Sequence, residues 1–240
     1  MFRVSKTILC GTILFKHAMC GIHNINKNDM KKAFEKGEDY RIYEEDGPVT
    51  IRLLEYYNKS QTREMCLKSV QTNPYNLQYV NDQDDEICLE AVKQTGFALR
   101  FVKNQTPEIC MAAVKHKYSA ADALICVEKQ TPEICLEAVK NDGDALKFVK
   151  QQTYKICLEA VKQNGLALQF VNEQTLDICL EAVKQNGLAL QFVNEQTPEI
   201  CLASVKQNAV SLNFVKDRTL EILFEAVRQN SYVAIYRRIF

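Results

Sequence analysis

Seven cysteines recur in one register along the chain: Cys66, Cys88, Cys110, Cys135, Cys157, Cys179 and Cys201. Thiols spaced so regularly could form a disulfide ladder or hold metal. Stacked repeats would keep equivalent Cα atoms about 8–10 Å apart, beyond the roughly 7 Å that a disulfide can span. A metal site lacks ligands: there is no CxxC pair, and His17, His23 and His116 are the only histidines. Leu223 fills the same register in a further copy, so the position reads as one for a small buried hydrophobe. Unpaired thiols in this number predict a reducing compartment such as the cytoplasm. No cofactor and no metal are expected.

A second column is charged. Lys93, Lys115, Lys140, Lys162, Lys184, Lys206 and Arg228 form a basic ladder that could follow a phosphate backbone. Glu90, Glu137, Glu159, Glu181 and Glu225 stand three residues earlier on the same helix face. Pairs at that spacing neutralise one another locally, so the column reads first as a solvated face and only in the alternative as a nucleic-acid binder. Catalytic chemistry finds little footing. His116 has no nucleophile placed beside it by a motif, and no GxGxxG, P-loop or HExxH occurs. A non-enzymatic protein is expected.

The elements that position these columns follow from a 22-residue repeat. Thr62, Thr106, Thr131, Thr153, Thr175, Thr197 and Thr219, with Asp84 in the remaining place, mark eight units. Successive marks are 22 residues apart except between Thr106 and Thr131, where 25 separate them. The stretch ICLEAVKQNGLALQFVNEQT occurs verbatim at 156–175 and again at 178–197. Thr or Asp is a good N-cap, Pro107, Pro132 and Pro198 suit the first helical position, and Glu108, Glu133 and Glu199 complement the positive helix end. The run ICLEAVK is helix-forming. Gly96, Gly143, Gly165 and Gly187 are expected to end it in the left-handed conformation, before a second short helix over LALQFV. A leucine-rich-repeat strand at LALQFV is disfavoured because no apolar residue follows Asn172 or Asn194 at the required place.

The units serve as their own comparison. Columns that stay apolar or small are the expected core: the Ile column from Ile87 to Ile222, the Val column from Val70 to Val227, and the Ala column, with Ser69 and Ser204. From the second segment come Leu99, Leu146, Leu168, Leu190 and Leu212, and Phe101, Phe148, Phe170, Phe192 and Phe214. One unit cannot repay its own chain entropy, so neighbours must stack. The fold expected is all-α, an α-solenoid of about eight helix-turn-helix repeats over 46–240 behind an N-terminal segment at 1–45. Pro48–Gln61 is expected to be a capping helix. Arg237 and Arg238 would give the far end a polar cap, and about three extra residues near Lys117–Ser119 predict a local change in curvature.

Composition bounds the rest. Lys plus Arg and Asp plus Glu balance at 30 each in 240 residues, which removes the simplest electrostatic argument for nucleic acid or a membrane surface. No apolar run approaches the length of a membrane span. Residues 1–28 carry Arg3, Lys6, Lys16 and Lys27 and no acid, a pattern open to a targeting segment as well as to an element packed on the array.

The AVKQNGLAL core of these units resembles a family of short repeats of unknown function found in mimivirus-like large DNA viruses of amoebae, some protists and bacteria. The resemblance covers roughly 61–230. It implies an α-helical repeat protein of viral source acting in the host cytoplasm, with no assigned catalytic residues. The reading that follows is a protein-interaction scaffold with a protein partner; a nucleic-acid binder and a structural virion component are the alternatives. The candidate partner-binding residues share one outward column: Arg100, Lys147, Gln169, Gln191 and Asn213.

Overall fold

The computed structural model describes the backbone of 40–44 and 47–51, and residues 61–229 except Tyr118. Residues 1–28, where the sequence is open to a targeting segment, and the cap expected at Arg237 and Arg238 lie outside the described residues. Strands β1 (Tyr40–Glu44) and β2 (Gly47–Ile51) pair antiparallel, with Ile42 opposite Val49. The expected capping helix is therefore overturned over Pro48–Ile51. Val49, Thr50 and Ile51 are β-branched, and their partners across the ladder are Ile42, Arg41 and Tyr40; a run rich in β-branched and aromatic residues favours a strand.

The array is an α-solenoid. Its long helices are α1 (Arg63–Thr72), α2 (Asp85–Gln94), α3 (Pro107–Val114), α5 (Pro132–Asn141), α6 (Tyr154–Gln163), α7 (Leu176–Gln185), α8 (Pro198–Gln207) and α9 (Leu220–Gln229). All eight begin at the expected caps. The Thr or Asp side-chain oxygen accepts from the amide three residues on, at 2.8 Å for Asp84 and 3.3–3.4 Å at Thr106, Thr153 and Thr219. The second segments are 3₁₀ helices: Pro74–Tyr79, Gly96–Phe101, Gly143–Phe148, Gly165–Phe170, Gly187–Phe192 and Ala209–Phe214.

The junction within a unit differs from the expectation. The residue before each glycine ends the α-helix in extended backbone, as Asn164 does at φ −142° and ψ 108°. The same residue starts the 3₁₀ helix, its side chain accepting from the Leu166 amide at 3.0 Å. One asparagine thus satisfies two helix ends, and no left-handed glycine is used. Glycine is required for closeness instead: a Cβ at Gly143 would sit 2.6 Å from the Ala160 carbonyl of the next unit. The second segment lies against the backbone of its neighbour.

The core runs the length of the array. The Ile, Cys, Ala and Leu columns are buried, and so are the valines that end each 3₁₀ helix. The phenylalanine column, expected inside, is only half-buried, and Phe214 is exposed. A six-residue 3₁₀ segment turns this side chain toward the rim, where it covers the core edge. Adjacent helices pack directly, unit on unit. The extra residues of the third unit shorten α3 to eight residues and replace the 3₁₀ segment by a true helix, α4 (Ala120–Cys126).

Candidate interaction surfaces

The outward column emerges where the repeat predicts it. Arg100, Lys147, Gln169, Gln191 and Asn213 are all exposed, and the same register brings out Gln78 and Ile125. Their chemistry changes while the frame beneath does not. The Arg100 guanidinium lies 4.8 Å from the Phe97 ring centre and 5.3 Å from that of Phe101. Lys147 stands 5.6 Å from the Phe148 ring. Such cation–π contacts hold a charge in place without neutralising it. Gln169 and Gln191 instead fold back, each donating to a carbonyl in its own unit at 3.1 Å.

The cysteine column has a partner that residue types alone concealed. The glutamine just before each cap reaches into the following unit. Gln152 Nε2 donates to the Phe170 carbonyl at 2.7 Å, and its Oε1 accepts from the Asn172 amide at 3.0 Å. The Cys157 thiol donates to the same oxygen at 3.5 Å. Gln61, Gln83, Gln105, Gln130, Gln174 and Gln196 repeat the pattern. In the eighth unit Arg218 replaces the glutamine and Leu223 replaces the cysteine. The joint loss was a legible signal that the two act together, and the thiol is a donor as well as a filler. Burial pushes every one of these thiols up from its ordinary value, Cys88 to about 11. They stay protonated at neutral pH and carry little nucleophilic character.

A second glutamine column ties the opposite edge. Gln163, Gln185 and Gln207 each accept, through Oε1, from the glycine amide of the preceding unit at 2.6 Å. The third unit has His116 in this register. There Ser119 Oγ accepts from Gly96 N at 2.8 Å and contacts His116 Nδ1 at 3.0 Å. The inserted turn supplies the acceptor that the histidine position no longer provides.

The basic column is exposed at all seven positions. Of the five expected carboxylate pairs, two close among the described residues: Lys162–Glu159 at 3.1 Å and Arg228–Glu225 at 2.8 Å. The hydrogen bonds from Arg228 hold the Glu225 carboxyl below its ordinary range. Lys93, Lys140 and Lys184 stand open despite a glutamate three residues before them. Lys115 and Lys206 have Ala112 and Ala203 at that place instead. The local neutralisation read from the sequence is thus only partial.

Two cavities of about 620 Å³ differ in character. One lies at the helix N-termini of the first two units, among Arg63, Asp82, Asp84, Asp85 and Lys103. Its cations are spent: Arg63 pairs with Asp84 at 2.7 Å and with Glu86, and Lys103 Nζ donates to the Val80 and Asn81 carbonyls at 2.9 and 2.8 Å. The Ile87 amide, and then Arg63, hold the Asp84 carboxyl below its usual range. The second cavity lies between α2 and α3, with Leu89, Met111 and Ala112 as apolar lining and Lys93, Lys115, His116 and Lys117 around it. Sequence reasoning overlooked this site, although Ala112 in the glutamate column signals it. Among the described residues no group of three or more His, Cys, Asp or Glu side chains could hold a metal ion, and no helix is long and apolar enough to cross a membrane.

Neither the curated proteins nor the solved structures gave a match to this chain. A family described as a domain of unknown function (DUF4116) matches four times, over residues 62–106, 131–176, 153–197 and 175–220. The matches begin at the capping threonines Thr62, Thr131, Thr153 and Thr175 and overlap by one repeat in the second half, so each covers about two of the structural units. Together they span more than half of the 240 residues, and by that span and that register the chain belongs to the DUF4116 family.

Proposed function

We propose that the protein is a non-catalytic scaffold whose solenoid presents a partner protein with one exposed side chain per repeat. The observation that carries this reading is the outward 3₁₀ column. Gln78, Arg100, Ile125, Lys147, Gln169, Gln191 and Asn213 differ in charge, size and polarity. The residues on either side of them in each segment keep to one small set of types. A frame held constant under a changing surface is what selective recognition by a solenoid needs. Arg100 and Lys147, stacked against aromatic rings, are the anchors, since Arg beside aromatic surface contributes strongly at interfaces.

The buried free thiols support a reducing compartment such as the cytoplasm. The resemblance to repeats of large DNA viruses supports a viral protein at work in a host cell. Affinity capture from the native or infected cell, followed by mass spectrometry, tests the reading. The control is the double variant Arg100→Glu, Lys147→Glu. A specific protein should be recovered with the natural sequence and fall by roughly tenfold with the variant. Equal recovery would remove this column from the interface. No partner above background, together with turnover of a small-molecule substrate, would overturn the scaffold.

A further inference from the structure

We propose that the cavity between α2 and α3 binds a small anionic amphiphile: an apolar body the size of a phenyl ring or short acyl chain, bearing one phosphate or carboxylate. The inference stands apart from the scaffold reading, because the residues involved lie on α2, on α3 and in the turn that follows α3, and not on the 3₁₀ column.

Three observations carry it. The first is shape and lining. The space is an open groove rather than an enclosed pocket, and at about 620 Å³ it is large enough to hold a small molecule, whose sites typically measure roughly 300–1,000 Å³. Leu89, Met111 and Ala112 provide an apolar lining, and polar groups gather around it. The second is charge. Lys93, Lys115 and Lys117 line the cavity with Glu108 as the one carboxylate. Lys93, in the last turn of α2, and Lys115, directly after α3, occupy the same register of neighbouring units, and neither closes an ion pair among the described residues. Their alkyl stems can cover apolar surface while the ammonium groups converge on an anion. The negative ends of the α2 and α3 dipoles oppose an anion here, so the lysines are what set the sign of the site.

The third observation is the contrast with other places in the same molecule. The equal-sized cavity at the helix N-termini has polar walls and cations already bound to carboxylates or carbonyls. The groove between α7 and α8 has nearly the same residues as the proposed site: Leu180, Lys184, Glu199, Leu202, Ala203 and Lys206. It continues, however, with Gln207 and Asn208, and Gln207 is committed to the Gly187 amide at 2.6 Å. In the third unit that bond to glycine has passed to Ser119. His116 and Lys117 line the cavity in place of the ladder. The inserted turn thus converts a repeated groove into a single site with an added cation.

The chain contains five methionines, and Met111 is in the lining itself. Its methyl group, labelled with ¹³C, reports binding directly by NMR in the full-length protein. Met111→Leu assigns the signal, and Met65 on α1 is the internal reference. Phenyl phosphate is the probe, with phenol and inorganic phosphate as its two halves. The expected result is a saturable Met111 shift with phenyl phosphate in the low millimolar range, about −4 kcal/mol at 1 mM, and no shift at Met65. Each half alone should bind at least roughly tenfold more weakly, and so should phenyl phosphate to Lys93→Ala, Lys115→Ala. Both lysines are exposed, so the variant keeps its fold, which circular dichroism verifies. An unmoved Met111 signal at about 10 mM probe would overturn the site. Equal response to phenol, or an unchanged affinity in the double variant, would overturn the anion recognition.

Discussion

The stretches at 156–175 and 178–197 have one sequence, and the hydrogen bonds that build their frame repeat from one to the other. Their asparagines accept from the following leucine amide at 3.0 Å in both, and their glycine amides donate to the next unit's glutamine at 2.6 Å in both. The third unit, from Thr106 to Gln130, departs from them at almost every non-core position. Its long helix is shorter, its 3₁₀ segment becomes α4, histidine stands in the second glutamine column and alanine in the glutamate column. Yet Ala113, Val114 and Leu124 are as buried as their counterparts Ala160, Val161 and Leu168. The difference separates two jobs. Verbatim repetition maintains a frame, and the interrupted unit keeps that frame while opening a surface found nowhere in the duplicated copies.

The strongest way to break this comparison is to cut into the core on both sides of it. Leu168→Ala in a duplicated unit and Leu124→Ala in α4 both remove a fully buried side chain. Each should lower stability by about 2–5 kcal/mol in urea unfolding followed by circular dichroism. Similar losses would establish that the core runs through the insertion. If Leu124→Ala cost less than about 1 kcal/mol while Leu168→Ala cost the full amount, the third unit would be a seam between two separately folding halves.

A finer cut goes through the side-chain ladders. Gln152→Ala strips partners from the Phe170 carbonyl and the Asn172 amide within the regular array. Gln105→Ala does the same across the insertion, where the partners are the Cys126 carbonyl at 2.8 Å and the Glu128 amide at 3.0 Å. Ser119→Ala leaves the buried Gly96 amide without its acceptor. Each should cost about 1–3 kcal/mol, the usual penalty for orphaning polar groups inside a protein. A Ser119→Ala variant as stable as the natural protein would show that the inserted turn does not replace the missing glutamine.

Much of the frame was legible because each requirement is local or recurs. A threonine cap needs only the amide three residues on, and the Ile, Ala and Leu columns recur from unit to unit and are buried. What escaped depends on contacts between units. Gly143 looks like a helix terminator until the Ala160 carbonyl of the next unit is placed against it. Gln152 looks like a polar loop residue until Phe170 and Asn172 arrive from 18 and 20 positions away. The Phe170 column stays aromatic in unit after unit and so reads as core, whereas a 3₁₀ segment, with three residues per turn, directs it to the rim. The outward column was legible by elimination. The α2–α3 cavity was not, since it comes from small departures that matter only together: Ala112 for glutamate and His116 for glutamine.

The thiols give the smallest and most selective test. Burial raises the pKa of Cys110 in the interrupted unit just as it does that of Cys157 in a duplicated one. A thiol whose pKa is raised by folding keeps a proton that the unfolded chain would release. Its contribution is therefore complete below the ordinary value of 9.0 and fades as pH climbs toward the native value, about 11 for Cys88. Denaturant midpoints should be flat from neutral pH to about 8.5 and fall progressively above 9. Cys126, the half-buried thiol of α4, provides the contrast within one unit, because it stands in the phenylalanine register and is more accessible than Cys110, although burial raises its pKa as well. Limited alkylation at pH 8 with peptide mapping should therefore modify Cys126 ahead of Cys110, and Cys110 no faster than Cys157. Should Cys110 react as quickly as Cys126, the insertion would be opening the core itself, and the separation between a constant frame and a variable surface would fail at the unit that defines it.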